Sequence, residues 1–315
     1  MPHPFRFTTS MPPLTAPVAK WRDEIRRIED LGFSSVAISD HLTGGWSMDP
    51  VVTMTVAAEA TSRLRVLAMV FCNDLRHPAL LHRSMANLDV VSEGRVEIGL
   101  GAGWKQEDYR ATGIAFDPPA TRVSRLAESV DVINGLFAPE ALTYTGAHYR
   151  VHELAGLPRP VQRPRPPLLI GGGGRRVLEL AGRAADIVGV NPRLTAGADC
   201  GAAIEQMAPG ALGQKVTWAR DAAALAGRRP SRLVFQQSVL DVSLTHRGVR
   251  HRWTSSLAVH ASADVLARSP AALHGDLSRC VDTLVQRREE YGVSYLHLGG
   301  NLEAAALIVG RLAGC

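Results

Sequence analysis

Four consecutive glycines, Gly171-Gly172-Gly173-Gly174, follow the apolar run Pro166-Pro167-Leu168-Leu169-Ile170 and lead straight into Arg175-Arg176-Val177-Leu178-Glu179-Leu180-Ala181. Apolar positions at 177, 180, 181 and 184 carry a helical period, so the stretch reads as strand, tight loop, helix. Such a turn is a cradle for an anion. Glycine lets backbone come close to a phosphate, the first helical N–H groups point at it, and Arg175 or Arg176 can add a charged fork. A short glycine pattern alone suits a flexible connection equally well, so the rest of the chain has to decide.

Other residues with chemistry to offer stand at the ends of apolar runs. His41, beside Asp40, is a proton donor, a ring stacker or a hydrogen-bond donor, or else an ordinary loop residue. Trp46 can stack on a flat ring or pack at a rim. Gly101-Ala102-Gly103-Trp104 puts glycines where a ring or phosphate can lie against backbone, and equally makes a tight turn. In Asn73-Asp74-Leu75-Arg76-His77-Pro78, Asn73 is the site residue, while Pro78 opens a helix and Arg76 and His77 pair or cap there. Glu107 and Asp108 are adjacent and splay apart on a helix, as do Glu289 and Glu290, so no carboxylate pair is poised for acid–base work. No two of the histidines share ligand spacing with a Cys or carboxylate motif, so a metal is not indicated. His246, His251 and His260 read as solvated.

The elements that must position these groups alternate. Strands are predicted at 5–9, 35–39, 66–71, 95–100, 168–170, 186–191, 233–240 and 294–298. Between them, helical periods are carried by Trp21, Ile25 and Ile28, by 50–61, by Leu80 to Val91, by Val123 to Phe137, by 214–226, by 277–291 and by 302–312. Residues 138–166 form an insertion with a hairpin at 142–151 and a proline-rich return. Residues 192–213 are expected to be a mobile loop. Eight strands alternating with helices predict a single α/β domain over 1–315, a (βα)8 TIM barrel with insertions. A doubly wound sheet gives similar alternation, but no GxGxxG opens the first βα turn. In a barrel the C-terminal ends of the strands share one mouth, which would gather Thr9, His41, Asn73, Gly103, Trp104, Gly171 to Arg175, Asn191, Gly299 and Gly300.

Composition agrees. Nearly half of the residues are hydrophobic, at 46%, and the net charge is +5. Lys20, Lys105 and Lys215 are the only lysines, and the many arginines are spread along the chain without interleaved aromatics, so nucleic-acid binding is not supported. No apolar run reaches the ~20 residues that span a bilayer. The N-terminus lacks a signal-peptide core, and Cys72, Cys200, Cys280 and Cys315 have no metal or redox spacing; the expectation is a cytoplasmic protein with free thiols.

Several stretches match together. Asp40-His41, Asn73-Asp74-Leu75-Arg76-His77-Pro78, Leu88-Asp89-Val90-Val91-Ser92-Glu93-Gly94-Arg95, Gly99-Leu100-Gly101-Ala102-Gly103-Trp104 and Pro164 to Gly174 resemble the luciferase-like monooxygenase superfamily, and within it the branch of coenzyme F420-dependent oxidoreductases. The resemblance runs from the first strand to the last helix. It implies a bacterial luciferase-like TIM barrel holding a deazaflavin or flavin, with the phosphate on Gly171, Gly172, Gly173, Gly174 and Arg175. It implies that His41 faces the ring as catalytic proton donor with Trp46 near it, and that Cys72, Asn73, Gly103 and Trp104 belong to the cofactor site. A non-proline cis peptide is expected after strand three, at Cys72-Asn73, and a homodimer is suggested. Trp104 stands where some F420 enzymes carry Glu. The implied activity is hydride transfer between F420 and a small organic substrate, reducing an activated C=C or C=N bond. The alternatives are an FMN-dependent monooxygenase using reduced flavin and oxygen, and a cofactor-binding barrel without chemistry. The substrate itself has no signature in the sequence.

Overall fold

The computed structural model describes residues 2–14, 17–45, 48–193, 206–244 and 269–315. In chain order the elements begin β1 (Arg6–Ser10), α1 (Val18–Asp30), β2 (Ser35–Ile38), α2 (Pro50–Ala60), β3 (Arg65–Ala68), β4 (Phe71–Cys72), α3 (Pro78–Val91), β5 (Val96–Gly101) and α4 (Gln106–Thr112). They continue α5 (Pro119–Phe137), β6 (Leu142–Thr145), β7 (Arg150–Leu154), β8 (Leu168–Gly172), α6 (Arg175–Ala184), β9 (Ile187–Val190) and α7 (Pro209–Leu225). The last are β10 (Val234–Leu244), β11 (Ala272–Gly275), α8 (Leu277–Tyr291), β12 (Val293–Gly300) and α9 (Leu302–Leu312). Parallel strands alternating with helices make the (βα)8 barrel that the sequence predicts.

The chain divides into two compact units. One consists of Pro12–Arg26 and Ala37–Gly171. In it β5 pairs in parallel with β3, β4 and β8. Local chemistry starts its helices where expected: Asp49 accepts from Val52 N ahead of Pro50, and His77 accepts from Ala79 N ahead of Pro78. The Asp89 to Arg95 motif proves to be scaffold. The Arg95 guanidinium donates to the carbonyls of Ala58, Leu64 and Ser92 and to the Thr61 hydroxyl, while Asp89 accepts from the Gln162 amide groups. The antiparallel hairpin β6–β7 is fastened to α5 at its tip, because the Glu128 carboxylate accepts from the amides of Ala147, His148 and Tyr149.

The other unit consists of Met1–Met11, Arg27–Val36 and Gly172–Cys315. Here β1 pairs with β12, β12 with β10, and β10 with β9 and β11, all in parallel. Phe5 and Phe7 stack with ring centroids 5.9 Å apart, and the Arg288 guanidinium of α8 lies over Phe5, so that face of β1 is covered by helix. Asp276 and Asn301 cap α8 and α9 through their side chains.

Three expectations need correction. The non-proline cis peptide lies at Met69-Val70, not Cys72-Asn73. The apolar run 66–71 reads as one strand, but the chain breaks at that bond into β3 and β4, and the irregular step falls inside the run. Residues 209–213 are not loop: Pro209 supplies the first turn of α7, which begins five residues ahead of the predicted start. Residues 194–205 of the expected loop, like Trp46, His246, His251 and His260, lie outside the described residues. Lastly, β11 occupies part of what reads as polar connection, its short Ala-Leu-His-Gly run being too brief to show a period.

Candidate active site

In the unit built around β5, the residues just past the ends of β2, β4 and β5 form one polar cluster. His41 follows β2, and its Nδ1 lies 2.7 Å from Asp108 Oδ2. The other oxygen of Asp108 accepts from Leu42 N (3.2 Å), Thr43 N (2.9 Å) and Thr43 Oγ1 (2.6 Å). Asp108 is buried. Burial is the largest single influence and opposes ionisation, yet the hydrogen bonds from Thr43, His41 and Leu42 together hold its carboxyl below the ordinary range. An ionised carboxylate accepts only, so the proton on this bond sits on Nδ1, and Nε2 is the nitrogen that can exchange one. Trp104 meets the His41 ring edge to face, with centroids 5.5 Å apart. Lys105 Nζ donates to Thr43 O at 2.7 Å and closes the loop from the other side.

Asp40, the neighbour of His41, braces the turn after β4. It accepts from Cys72 N at 3.1 Å and pairs with Arg76, which also reaches Asp49 at 3.0 Å. Burial pushes the Asp40 carboxyl up, more strongly than Arg76 and the Cys72 amide pull it down. Cys72 Sγ lies 3.4 Å from Tyr109 Oη, and burial raises its thiol. Tyr109 in turn donates to Asp74 Oδ2 at 3.0 Å, which Arg125 pairs at 3.0 Å. Asn73 is buried and donates through Nδ2 to Tyr149 Oη at 3.2 Å, so the hairpin tip supports it from below the turn.

The glycines of this cluster make room for protein. A Cβ on Gly101 would stand 2.6 Å from Val70 Cγ2, and one on Gly103, whose φ is +75°, would stand 1.9 Å from Tyr109 Oη. The turn after β5 is therefore shaped by Tyr109 and Val70, and Trp104 is presented from its end, 39% exposed.

In the other unit, Gly172 to Gly174 join β8 to α6. A Cβ on Gly172 would meet Val177 Cγ1 at 2.6 Å, and one on Gly173 would meet Pro192 C and Arg193 N at 2.3 Å; at Gly174 it would meet nothing among the described residues. The helix opens on Gly174 with no side-chain cap and no acid in its first turn, which leaves its leading amides available to an anion. Arg175 points along its own helix, with Nε 2.7 Å from Glu179 Oε1. The wall facing Gly173 is held by a buried lysine: Lys215 Nζ donates to Asn191 O (2.8 Å) and Gln206 O (3.0 Å), and burial brings its ammonium down to about 8.

Of the residues predicted from sequence, His41, Cys72, Asn73, Gly103 and Trp104 thus share one cluster, Gly171 and Gly172 end β8, and Gly173 to Arg175 lead from it into α6. Asp108, Tyr109 and Arg125 were not anticipated. Glu107 and Asp108 do splay, the first exposed and the second buried, but Asp108 pairs with His41 instead of with another acid. The available signal was its place in the first turn of a helix that follows a glycine-rich strand end.

The Asp108 carboxyl gives a test of this geometry that needs no ligand. Its pKa is lower folded than unfolded, so it stabilises the protein above its unfolded value of ~3.9 and that contribution is lost as pH falls through the folded value. Thermal melts of Asp108→Asn between pH 3 and 7 are expected to show a flatter acid limb than the parent; parallel limbs would mean that the carboxylate is not held as described.

His41, oriented by Asp108, in one unit and the open N-terminus of α6 in the other each stand just past the end of a strand, the position that carries function in (βα)8 folds. The model of the luciferase-like monooxygenase family matches residues 3–233, and the chain belongs to that family. It is 32% identical over 164 residues to an F420-dependent glucose-6-phosphate dehydrogenase of Microbacterium testaceum, covering 50% of this chain and 48% of that protein. It is 33% identical over 164 residues to an F420-dependent hydroxymycolic acid dehydrogenase of Mycobacterium tuberculosis, covering 50% and 45%. The aligned stretch spans about half the length of these curated relatives. Among solved structures, an F420-dependent secondary alcohol dehydrogenase in complex with an F420–acetone adduct superposes with a TM-score of 0.77 at 18% identity, over 98% of both chains.

Proposed function

We propose that the chain is an F420-dependent oxidoreductase that moves a hydride between C5 of the deazaflavin and a carbon of a small organic substrate, reducing an activated C=C or C=N bond with the reduced cofactor. The observation that carries this reading is His41, oriented by Asp108 and flanked by Trp104, beside a turn whose glycines the protein itself requires. The names of the curated relatives support the cofactor.

The residues present fit such a group. The uncapped amides that follow Gly174, on the side where a Cβ would meet open space, suit a phosphate. We assign cofactor contacts to His41, Trp46, Cys72, Asn73, Gly103, Trp104, Gly171 to Gly174 and Arg175, of which Trp46 lies outside the described residues. F420, when bound, supplies a ring that carries hydride as a two-electron pair. What remains for the chain is to orient, to exclude water and to move a proton. His41 does the last through Nε2, its Nδ1 being committed to Asp108; Trp104 limits how the histidine ring can turn. Among the described residues no helix is long and apolar enough to cross a membrane; a cytoplasmic location is proposed from the cysteine spacing, and a homodimer from the resemblance alone.

The test is a pair of titrations with F420 and FMN, followed by tryptophan quenching and cofactor absorbance. Tight F420 with weak FMN is the expected result. A preference for FMN would transfer the reading to a flavin monooxygenase, to be pursued by oxygen consumption, and binding of neither would overturn the phosphate cradle.

A further inference from the structure

The strands β1, β12 and β10 carry a second polar surface that the assignments above do not use. Their register sets Thr8 opposite His297 and His297 opposite Ser238, with Arg6, Tyr295 and Gln236 in the row before. Partners in a parallel ladder point the same way, and residues two apart share a face. Thr8, Ser10, Gln236, Ser238 and His297 therefore lie on one face of the sheet, opposite the face on which Phe5 and Phe7 meet α8. Gln237 and Ser294 turn to that other face and play no part here.

The two rows differ. In the lower one Tyr295 Oη is 2.6 Å from Ser35 Oγ and the Arg6 guanidinium lies 4.2 Å over the Tyr295 ring, while Gln236 Oε1 at its β10 end is buried and has no hydrogen-bond partner among the described residues. In the upper one His297 Nε2 is 3.0 Å from Ser10 Oγ, but His297 Nδ1 and Thr8 Oγ1 are buried and have no partner among the described residues. Thr8 and Gln236 are fully buried and His297 is 6% exposed. Leaving such an atom unsatisfied is costly, and these three share one face of neighbouring strands, which calls for a partner. The upper row lies toward the C-terminal ends of the strands, where Ser10 ends β1, with Gln236 two residues before that row on β10, and in a (βα)8 barrel that end carries the ligand.

We propose that Thr8, His297 and Gln236, with Ser10 at the edge, form a binding surface for the oxygen-bearing group of a neutral, hydroxyl-containing small molecule. Gln236 Oε1 accepts only and demands a donor, whereas Thr8 Oγ1 can give or take, so hydroxyl groups suit either position. Burial brings His297 down to about 4, so the ring is neutral at physiological pH and adds no charge that would favour an anion. The inference deepens the oxidoreductase reading, as the place where its substrate is held, and rests on that reading only for this role.

The test uses the full chain with ring-15N-labelled histidine and cyclohexanol as the probe, methylcyclohexane as the probe without the hydroxyl, and an F420 titration on the same samples. The His297 resonance, identified by its loss in His297→Gln, is expected to shift saturably with cyclohexanol and not with methylcyclohexane. Ser10→Ala, a change at the exposed end of β1, is expected to weaken cyclohexanol roughly threefold to tenfold, the worth of one hydrogen bond; it carries the comparison if His297→Gln does not fold. A His297 resonance indifferent to cyclohexanol, or one that responds equally to methylcyclohexane, overturns the proposal. F420 binding without the cyclohexanol shift overturns this surface alone, and the shift without F420 binding overturns the cofactor reading and leaves the surface standing.

Discussion

His41→Ala is expected to lower turnover by about 10²–10⁴-fold, the contribution of a positioned general acid, while F420 dissociation stays within about threefold of the parent. The reason is the division of labour on the ring. Asp108 takes Nδ1 through a 2.7 Å hydrogen bond, and a carboxylate already supplied with three further donors is rigid enough to fix both tautomer and orientation. Asp108→Asn tests the same idea from the other side. An asparagine oxygen can still take the backbone amides of Leu42 and Thr43, but its NH₂ end cannot accept from Nδ1, so His41 must turn or change tautomer. Turnover of Asp108→Asn should fall roughly tenfold to hundredfold, and the double variant should be no slower than His41→Ala alone, because residues acting as a unit are not additive. Stopped-flow oxidation of reduced F420, with whichever unsaturated or imine acceptor turns over fastest, reads all three. Full turnover in His41→Ala with affinity intact would remove His41 from the chemistry.

The parts of the molecule that were legible in the sequence are those whose cause is local. Strand ends, proline starts and the helical periods of α3, α5 and α8 depend on neighbours within a few residues, and they lie where those neighbours put them. The same holds for His41 and Trp104, which are exposed to view because they end apolar strands. Asp108 was invisible for the opposite reason. Its significance comes from a residue 67 positions away, and on its own helix it is merely the buried member of an acidic pair. Tyr109 is similar: it explains why Gly103 carries no side chain, a cause that lies across the turn and not in the glycine motif. The step at Met69-Val70 was misplaced because three apolar residues in a row say that a strand continues, and only the pairing of Phe71 with Leu100 shows that it has restarted. The polar row on β1, β12 and β10 is hidden again by distance, since no window of sequence contains Thr8 and His297 together.

The glycine turn makes the second large prediction, and it separates two reasons for a glycine. At Gly173 the reason is protein: a Cβ would stand 2.3 Å from backbone atoms of Pro192 and Arg193, which no rotamer can relieve. At Gly174 there is space for a Cβ among the described residues, and the backbone has an ordinary negative φ of −89°. Gly173→Ala must therefore push the turn away from the wall that Lys215 holds through Asn191 O. Overpacking of this kind costs about 1–3 kcal/mol, and it displaces amides whose hydrogen bonds to a charged group are worth about 1.5–3 kcal/mol each. F420 affinity is expected to drop by roughly tenfold to hundredfold, with a melting temperature lower by a few degrees. Gly174→Ala is expected to melt with the parent and to bind within about threefold of it. Isothermal titration beside thermal melts distinguishes the cases: if Gly174→Ala melts normally but loses affinity as Gly173→Ala does, the ligand itself lies against the Gly174 Cα, and if Gly173→Ala binds as the parent does, the phosphate is held elsewhere.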